Sequence, residues 1–255
     1  MKDMLKFKGH FKIEAIDANN NGTVLDEWQD DNLIMENARL SMAEMFSLLS
    51  SNIGIHKIVL GSKGHNVDYR IPKTSSEGFV ASRDRLFSES IDIDDGEIVA
   101  AIRLGDVVKY VGSGNGTGTQ NNYYEYIGTG LTNKSVDSIN FANTAVWTDL
   151  GATAPYTYTM TFGLPNIPYG TFLNVVEDDG TVGSTGIVSQ TDGEVQFVFE
   201  FSTLAANNGN DPVAGASTFT EAAMYANNRI FSMKTFGSKI KDSTVLLRVT
   251  WTIVF

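Results

Sequence analysis

The chain contains no cysteine in 255 residues, which excludes a disulfide framework, a thiolate metal site and a cysteine nucleophile. Only three histidines occur, His10, His56 and His65, and none stands at the i, i+4 spacing that puts two metal ligands on one helical face. Basic residues are also sparse: 19 Lys and Arg against 30 Asp and Glu give a formal net charge of −11. The cations are scattered, so the sequence predicts no nucleic-acid partner and no anionic membrane surface. No apolar run approaches the ~20 residues of a membrane-spanning helix. The opening MKDMLKFKGHFKIEAID lacks the apolar core of a signal peptide, and no membrane insertion is expected. There is no Gly-x-Ser-x-Gly string for a serine nucleophile.

What is present is globular in composition, with 42% hydrophobic and 19% charged residues, enough to bury a core without staples. Phe11 to Asp17 and Thr23 to Gln29 roughly alternate around Asn19-Asn20-Asn21-Gly22, which predicts a β-hairpin. Asp30, Asp31 and Asn32 offer N-cap oxygens to a segment in which Ile34, Ala38, Met42, Met45, Phe46 and Leu49 recur at three- and four-residue steps. That spacing predicts one amphipathic helix from Leu33 to about Ser50.

Ile53 to Leu60 reads as a strand, His65 to Ser82 as loop, and Leu86 to Ile93 and Glu97 to Leu104 as strands paired about Asp94-Asp95-Gly96. Gly112 to Asn122 has no apolar residue and reads as a mobile surface loop. Short β-rich runs follow at Tyr123 to Ile127, Ser138 to Phe141, Tyr156 to Phe162, Phe172 to Val176 and Glu194 to Phe201. At the C-terminal end Leu247, Val249, Trp251, Ile253 and Phe255 share one face, and Arg248, Thr250 and Thr252 the other. This predicts a scaffold strand. The fold class is mainly β, an antiparallel sandwich or barrel with one amphipathic helix near the N-terminus. Residues 1–255 read as a single β-rich unit with an outward-facing β-rich insertion at about 105–215.

Motifs with chemical meaning weaken on inspection. Asp17-Ala18-Asn19-Asn20-Asn21-Gly22 resembles the start of a calcium loop, but its twelfth position is Trp28 and its flanks alternate like strands. The glycines at 112, 114, 116 and 118 precede Tyr123-Tyr124 rather than a helix that could hold a phosphate. Acids such as Asp94-Asp95 and Asp178-Asp179 sit beside glycine, where turn chemistry explains them. A carboxylate pair for hydrolysis remains formally open. Tyr123, Tyr124 and Tyr126 offer either a surface for sugar or receptor contact or a core-and-interface cluster. No catalytic residue, cofactor or metal site is expected.

Three segments together resemble tailed-bacteriophage virion proteins, most closely the tail sheath and appendage proteins of short-tailed phages. The first is Trp28-Gln29-Asp30-Asp31-Asn32-Leu33-Ile34 with the helix after it. The second is Ile58-Val59-Leu60-Gly61-Ser62, followed by Pro72 and Arg85-Leu86-Phe87. The third runs from Phe219-Thr220-Glu221-Ala222-Ala223-Met224-Tyr225 through Ile230-Phe231-Ser232, Lys234-Thr235-Phe236 and Ile240-Lys241 to Val249-Thr250-Trp251-Thr252-Ile253. The resemblance implies a non-enzymatic structural subunit of the virion, assembled in the host cytoplasm from copies of itself and other virion proteins. A head decoration protein, or a receptor- or carbohydrate-binding module facing a bacterial surface receptor, is the alternative. The resemblance brings no catalytic residues.

Overall fold

The computed structural model describes residues 8–31, 33–34, 36–47, 54–63, 85–162, 175–177, 185–191, 193–207, 216–226 and 229–255. In chain order these carry β1 (Lys8–Asp17), β2 (Thr23–Asp31), β3 (Leu33–Ile34), helix α1 (Glu36–Ser47) and β4 (Ile55–Gly61). Six short strands follow: β5 (Ser90–Ile93), β6 (Ile98–Ile102), β7 (Val107–Tyr110), β8 (Tyr123–Tyr126), β9 (Leu131–Ser135) and β10 (Trp147–Gly151). The remainder gives β11 (Thr157–Phe162), β12 (Val175–Glu177), β13 (Thr185–Thr191) and β14 (Glu194–Phe201). It closes with β15 (Ser217–Ala226), β16 (Arg229–Lys241) and β17 (Val245–Val254). The chain is mainly β, and the loop expected at His65 to Ser82 lies outside the described residues.

Two compact units emerge, one of Met1–Leu86 with Thr157–Phe255, the other of Phe87–Tyr156. The insertion expected at about 105–215 is therefore corrected in its bounds, because β11 to β14 pair into the sheets of the first unit.

The first unit is an open two-sheet sandwich. One sheet has the order β13-β14-β17-β1-β2 and the other β12-β11-β4-β15-β16-β3, with antiparallel pairing throughout. Among the described strands neither sheet closes into a barrel. The β1–β2 hairpin turns where Asn21 and Gly22 take φ of 49° and 74°, the left-handed region that asparagine and glycine tolerate best.

Strand β17 lies between β14 and β1 and buries Leu247, Val249, Trp251 and Ile253. Each such side chain contributes about 1.5 to 3 kcal/mol. Across the sandwich Phe11 stacks on Phe236 at 5.4 Å, and the Trp251 indole N–H donates to Ser232 Oγ at 3.1 Å.

Helix α1 packs on β16 with Ala38 and Ser41 buried. It starts at Glu36 rather than Leu33, because Leu33 and Ile34 pair with Met233 and Ser232 as a strand. Backbone committed to that ladder cannot close the first helical turn. Phe255, expected on the buried face, is corrected: it falls past the end of β17 and is 53% exposed.

The second unit combines a four-stranded sheet, β10-β8-β7-β5, with a separate β6–β9 ribbon. Its core gathers Ile93, Ile102, Val108, Tyr110, Tyr124, Tyr126, Phe141 and Trp147. The hairpin expected about Asp94-Asp95-Gly96 is corrected. The turn forms, with Glu97 N–H donating to Asp94 O, but β5 pairs parallel with β7 and β6 pairs antiparallel with β9. Long-range partners decide the pairing. The strand expected at Ser138 to Phe141 does not form: Ser138 ends a 3-10 turn, Val136–Ser138, and residues 139–141 carry no strand.

Candidate functional site

The tyrosine cluster sits on β8, where the period-2 alternation of a central strand sends side chains to both faces. Tyr124 and Tyr126 are core residues at 2% and 3% exposure, and Tyr123 is half-buried. A contact surface made of all three rings is thus corrected. Tyr124 lies 4.5 Å from the Phe141 ring and Tyr126 4.9 Å from Trp147, and the Tyr124 hydroxyl accepts the Thr119 N–H at 2.8 Å. Aromatic volume here fills a core.

The glycine-rich stretch before β8 is corrected as well, from mobile loop to packed structure. Asp95 anchors its start: the Tyr110 hydroxyl donates to Oδ1 at 2.5 Å, and the Ser113 and Gly114 N–H groups donate to Oδ2 at 2.7 and 2.6 Å. Those donors hold the Asp95 carboxyl below the usual carboxylate range, the phenol contributing most. Burial, and then the same bond, push the Tyr110 hydroxyl up.

Asn115 is buried at 6% exposure. Its Nδ2 donates to Val136 O and Ile139 O at 2.9 and 2.8 Å, while Oδ1 accepts from the Thr117 N–H and hydroxyl. A Cβ on Gly118 would stand 2.8 Å from the Tyr110 ring and 2.9 Å from Phe141, so glycine is needed for close approach. The loop has no apolar side chain to bury, and polar bonds order it instead.

In the first unit, β2 is an edge strand whose Asp26, Trp28 and Asp30 share the face directed at the other sheet, opposite Ala15, Ile13 and Phe11 of β1. Lys234 and Lys239 of β16, 3% and 4% exposed, meet them. Lys234 Nζ binds Asp30 Oδ2 at 2.8 Å and passes 5.3 Å from the Trp28 ring, and Lys239 binds Asp26. Lys234 holds the Asp30 carboxyl below its usual range. These pairs close one edge of the sandwich with charge.

On the sheet's other face lies a cavity of about 530 Å³. Its lining includes His10 and Lys12 from β1, Gln29 from β2, Gln196 from β14, and Thr250 and Thr252 from β17. The volume is in the range of small-ligand sites. Apart from Phe11 the lining residues carry polar side chains, and His10 Nδ1 lies 2.7 Å from Asp31 Oδ1.

Of the scaffold residues, Leu247, Val249, Trp251 and Ile253 come together in the sandwich core, and Phe255 does not join them. In the Asp17 loop the Asp17 carboxylate accepts the Asn19 N–H at 2.8 Å, which is turn chemistry. No group of three or more His, Asp or Glu among the described residues is placed to hold a metal ion. No helix among them is long and apolar enough to cross a membrane.

Sequence reasoning missed the two β2–β16 ion pairs and the Asp95–Asn115 network. A signal existed for the pairs: lysines in a strand that also carries Ile230, Phe231, Met233 and Phe236, and acids flanking a tryptophan at period 2. The network joins residues 15 to 24 positions apart, and its members look like ordinary turn residues in sequence. No family model matches the chain, and no curated protein or solved structure matches it significantly.

Proposed function

We propose that the chain is a structural subunit of a tailed-phage particle, a tail component of sheath or appendage type that acts by packing against copies of itself and other particle proteins. One observation carries this reading. The described parts of the three separated segments that resemble phage virion proteins converge in the first unit, Phe87 at its boundary excepted. β4 pairs with β15, β16 pairs with β3, and the Asp30–Lys234 contact joins residues 204 positions apart. Trp28 and Phe236, one from the first segment and one from the third, lie 6.1 Å apart. This co-folding of the three strings in one scaffold supports reading them together. The middle of the chain departs from the resemblance, and comprises the second unit together with β11 to β14 of the first.

Mass spectrometry of purified particles with copy-number estimation tests the reading. Dozens of copies per particle are expected for an architectural subunit, and absence from the particle overturns the proposal. The alternative, a receptor- or carbohydrate-binding module, draws its support from the polar cavity over Thr250 and Thr252. Glycan-array binding lost in Thr250→Ala/Gln196→Ala would favour that alternative.

A further inference from the structure

The structure points to strand β6 as a surface for a second copy of this chain, and we infer that two copies join there edge to edge across a two-fold axis. The inference rests on the homo-oligomer reading above and names its contact.

Natural sheets blunt exposed edge strands with charge, proline or bulges, because unpaired backbone groups template further pairing. Strand β2 follows that rule, with Asp26, Glu27, Asp30 and Asp31 along an edge strand. Strand β6 does not. It reads Ile98-Val99-Ala100-Ala101-Ile102 without a charge, in a ribbon whose other member among the described residues is β9. Ile98 is 70% exposed, and Ala100 and Ala101 are exposed. A two-stranded ribbon is also the least stable form of sheet, and gains from further strands.

The hydrogen-bond parity fixes which groups are available. Val136 N–H donates to Glu97 O, and Glu97 continues the register in which Ile98 faces Ser135. The Glu97 carbonyl and the backbone groups of residues 99 and 101 thus face β9, and residues 98, 100 and 102 direct theirs to the opposite edge. An antiparallel twin centred on Ala100 would pair Ala100 with Ala100 and Ile98 with Ile102, through backbone groups on the edge away from β9, while the Ile102 side chain stays in the core.

The same register sets Glu97 of one copy opposite Arg103 of the other, both exposed. The stretch from Glu97 to Arg103 is self-complementary in charge under a two-fold axis, as an isologous contact requires. Residues 87–156 hold nine acids against three bases, so two copies repel over most of this unit. Around β6 that repulsion is replaced by two cross-copy attractions. The result is a four-stranded β9-β6-β6-β9 sheet spanning the axis.

Analytical ultracentrifugation of the full chain over a concentration series reads the outcome. Reversible two-fold association is expected. Ala100→Lys places two ammonium groups face to face on the axis and is expected to weaken association by roughly tenfold or more. Glu97→Arg and Arg103→Glu each weaken it, and the double exchange restores it, a rescue that a folding defect would not show.

Association unchanged by Ala100→Lys, or not rescued by the exchange, overturns the β6 assignment. So does association seen only with a different particle protein, or a monomer at every concentration. In each of these cases abundant copies in purified particles leave the subunit reading standing. Absence from particles removes that reading instead.

Discussion

The two units hold their interiors together by different physical means. In the sandwich, apolar strand faces meet, and two buried lysines are each paired with a half-exposed carboxylate, Lys234 with Asp30 and Lys239 with Asp26. In the unit of residues 87–156, an aromatic core is bounded by loops, and neutral amides and hydroxyls fix those loops around one carboxylate, Asp95. Strand alternation can build the first interior with few specific polar contacts. The second depends on a few side chains that each make several bonds, so single polar residues there should matter more than their exposure or composition implies.

The largest effect is expected in the sandwich, from its central strand. Trp251 is fully buried, with Phe11 edge-on at 4.7 Å and Ser232 Oγ on its indole nitrogen. Trp251→Ala should cost about 3 to 5 kcal/mol. Deleting Trp251 to Phe255 also removes the pairing of β17 to Phe11 and Phe197, and insoluble or non-cooperatively unfolding protein is expected. Soluble yield and thermal unfolding are the measurements, and a soluble, cooperatively melting truncation would show that β17 is peripheral.

Next in size is Asn115→Ala. It removes two buried hydrogen bonds to backbone carbonyls and the acceptor for Thr117, at a cost of about 2 kcal/mol. Amide hydrogen exchange should report it within residues 87–156, with the sandwich amides unchanged. Replacing Gly112 to Asn122 by a Gly-Ser linker should cost more than the point variant. If protection in that unit is unchanged by either variant, the network does not hold the loop.

Strand alternation made much of the sandwich legible in sequence. The β1–β2 hairpin and the buried face of β17 follow from period-2 patterns and an Asn-Gly turn, both short-range signals. Pairing was less legible, since β5 and β6 flank a genuine turn at Asp94-Asp95-Gly96 yet find partners elsewhere. The packing of Gly112 to Asn122 is invisible to a count of apolar residues, which ignores polar satisfaction. Asn115 is ordered by carbonyls more than 20 positions away. For Tyr124 and Tyr126 a core and a contact surface both stay open in sequence for a related reason: alternation along Tyr123-Tyr124-Glu125-Tyr126 cannot tell a wet face from one covered by Phe141 and Trp147.

Acid titration separates the two kinds of polar contact. Asp30 and Asp95 both have carboxyls held below their ordinary value in the fold, by Lys234 and by Tyr110 with backbone amides respectively. A lowered folded-state value means stabilisation that is complete above the unfolded value of about 3.9 and is lost as pH falls through the folded one. Stability should therefore fall below about pH 4. Asp95→Asn should flatten that loss in hydrogen exchange of residues 87–156, and Asp30→Asn should flatten it in the sandwich. Added salt should weaken the Asp30 contribution more, because a half-exposed ion pair is screened and hydrogen bonds from a phenol and amides are not. Equal salt sensitivity in both variants would erase the distinction between the units.

The smallest effects are expected on the outer face of the same strand whose inner face gives the largest. Thr250 and Thr252 are half-buried and line the polar cavity, and each loses only a hydroxyl and a methyl in Thr→Ala, within about 0.5 kcal/mol. Gln196 Nε2 donates to Thr252 Oγ1 at a long 3.4 Å, so little hydrogen-bond energy is at stake. Arg248 shares that face but differs. Its Nε binds Glu200 Oε1 at 2.6 Å on the neighbouring strand, and Nη1 lies 3.9 Å from Glu14 Oε2. A cross-strand ion pair at partial exposure contributes up to about 1 kcal/mol, so Arg248→Ala should exceed either threonine variant and shrink at high salt. Thermal unfolding of the three alanine variants at low and high salt gives the order directly. A Thr250→Ala loss comparable to Trp251→Ala would mean that the outer face is itself packed in the folded protein, and that β17 is a two-sided core strand.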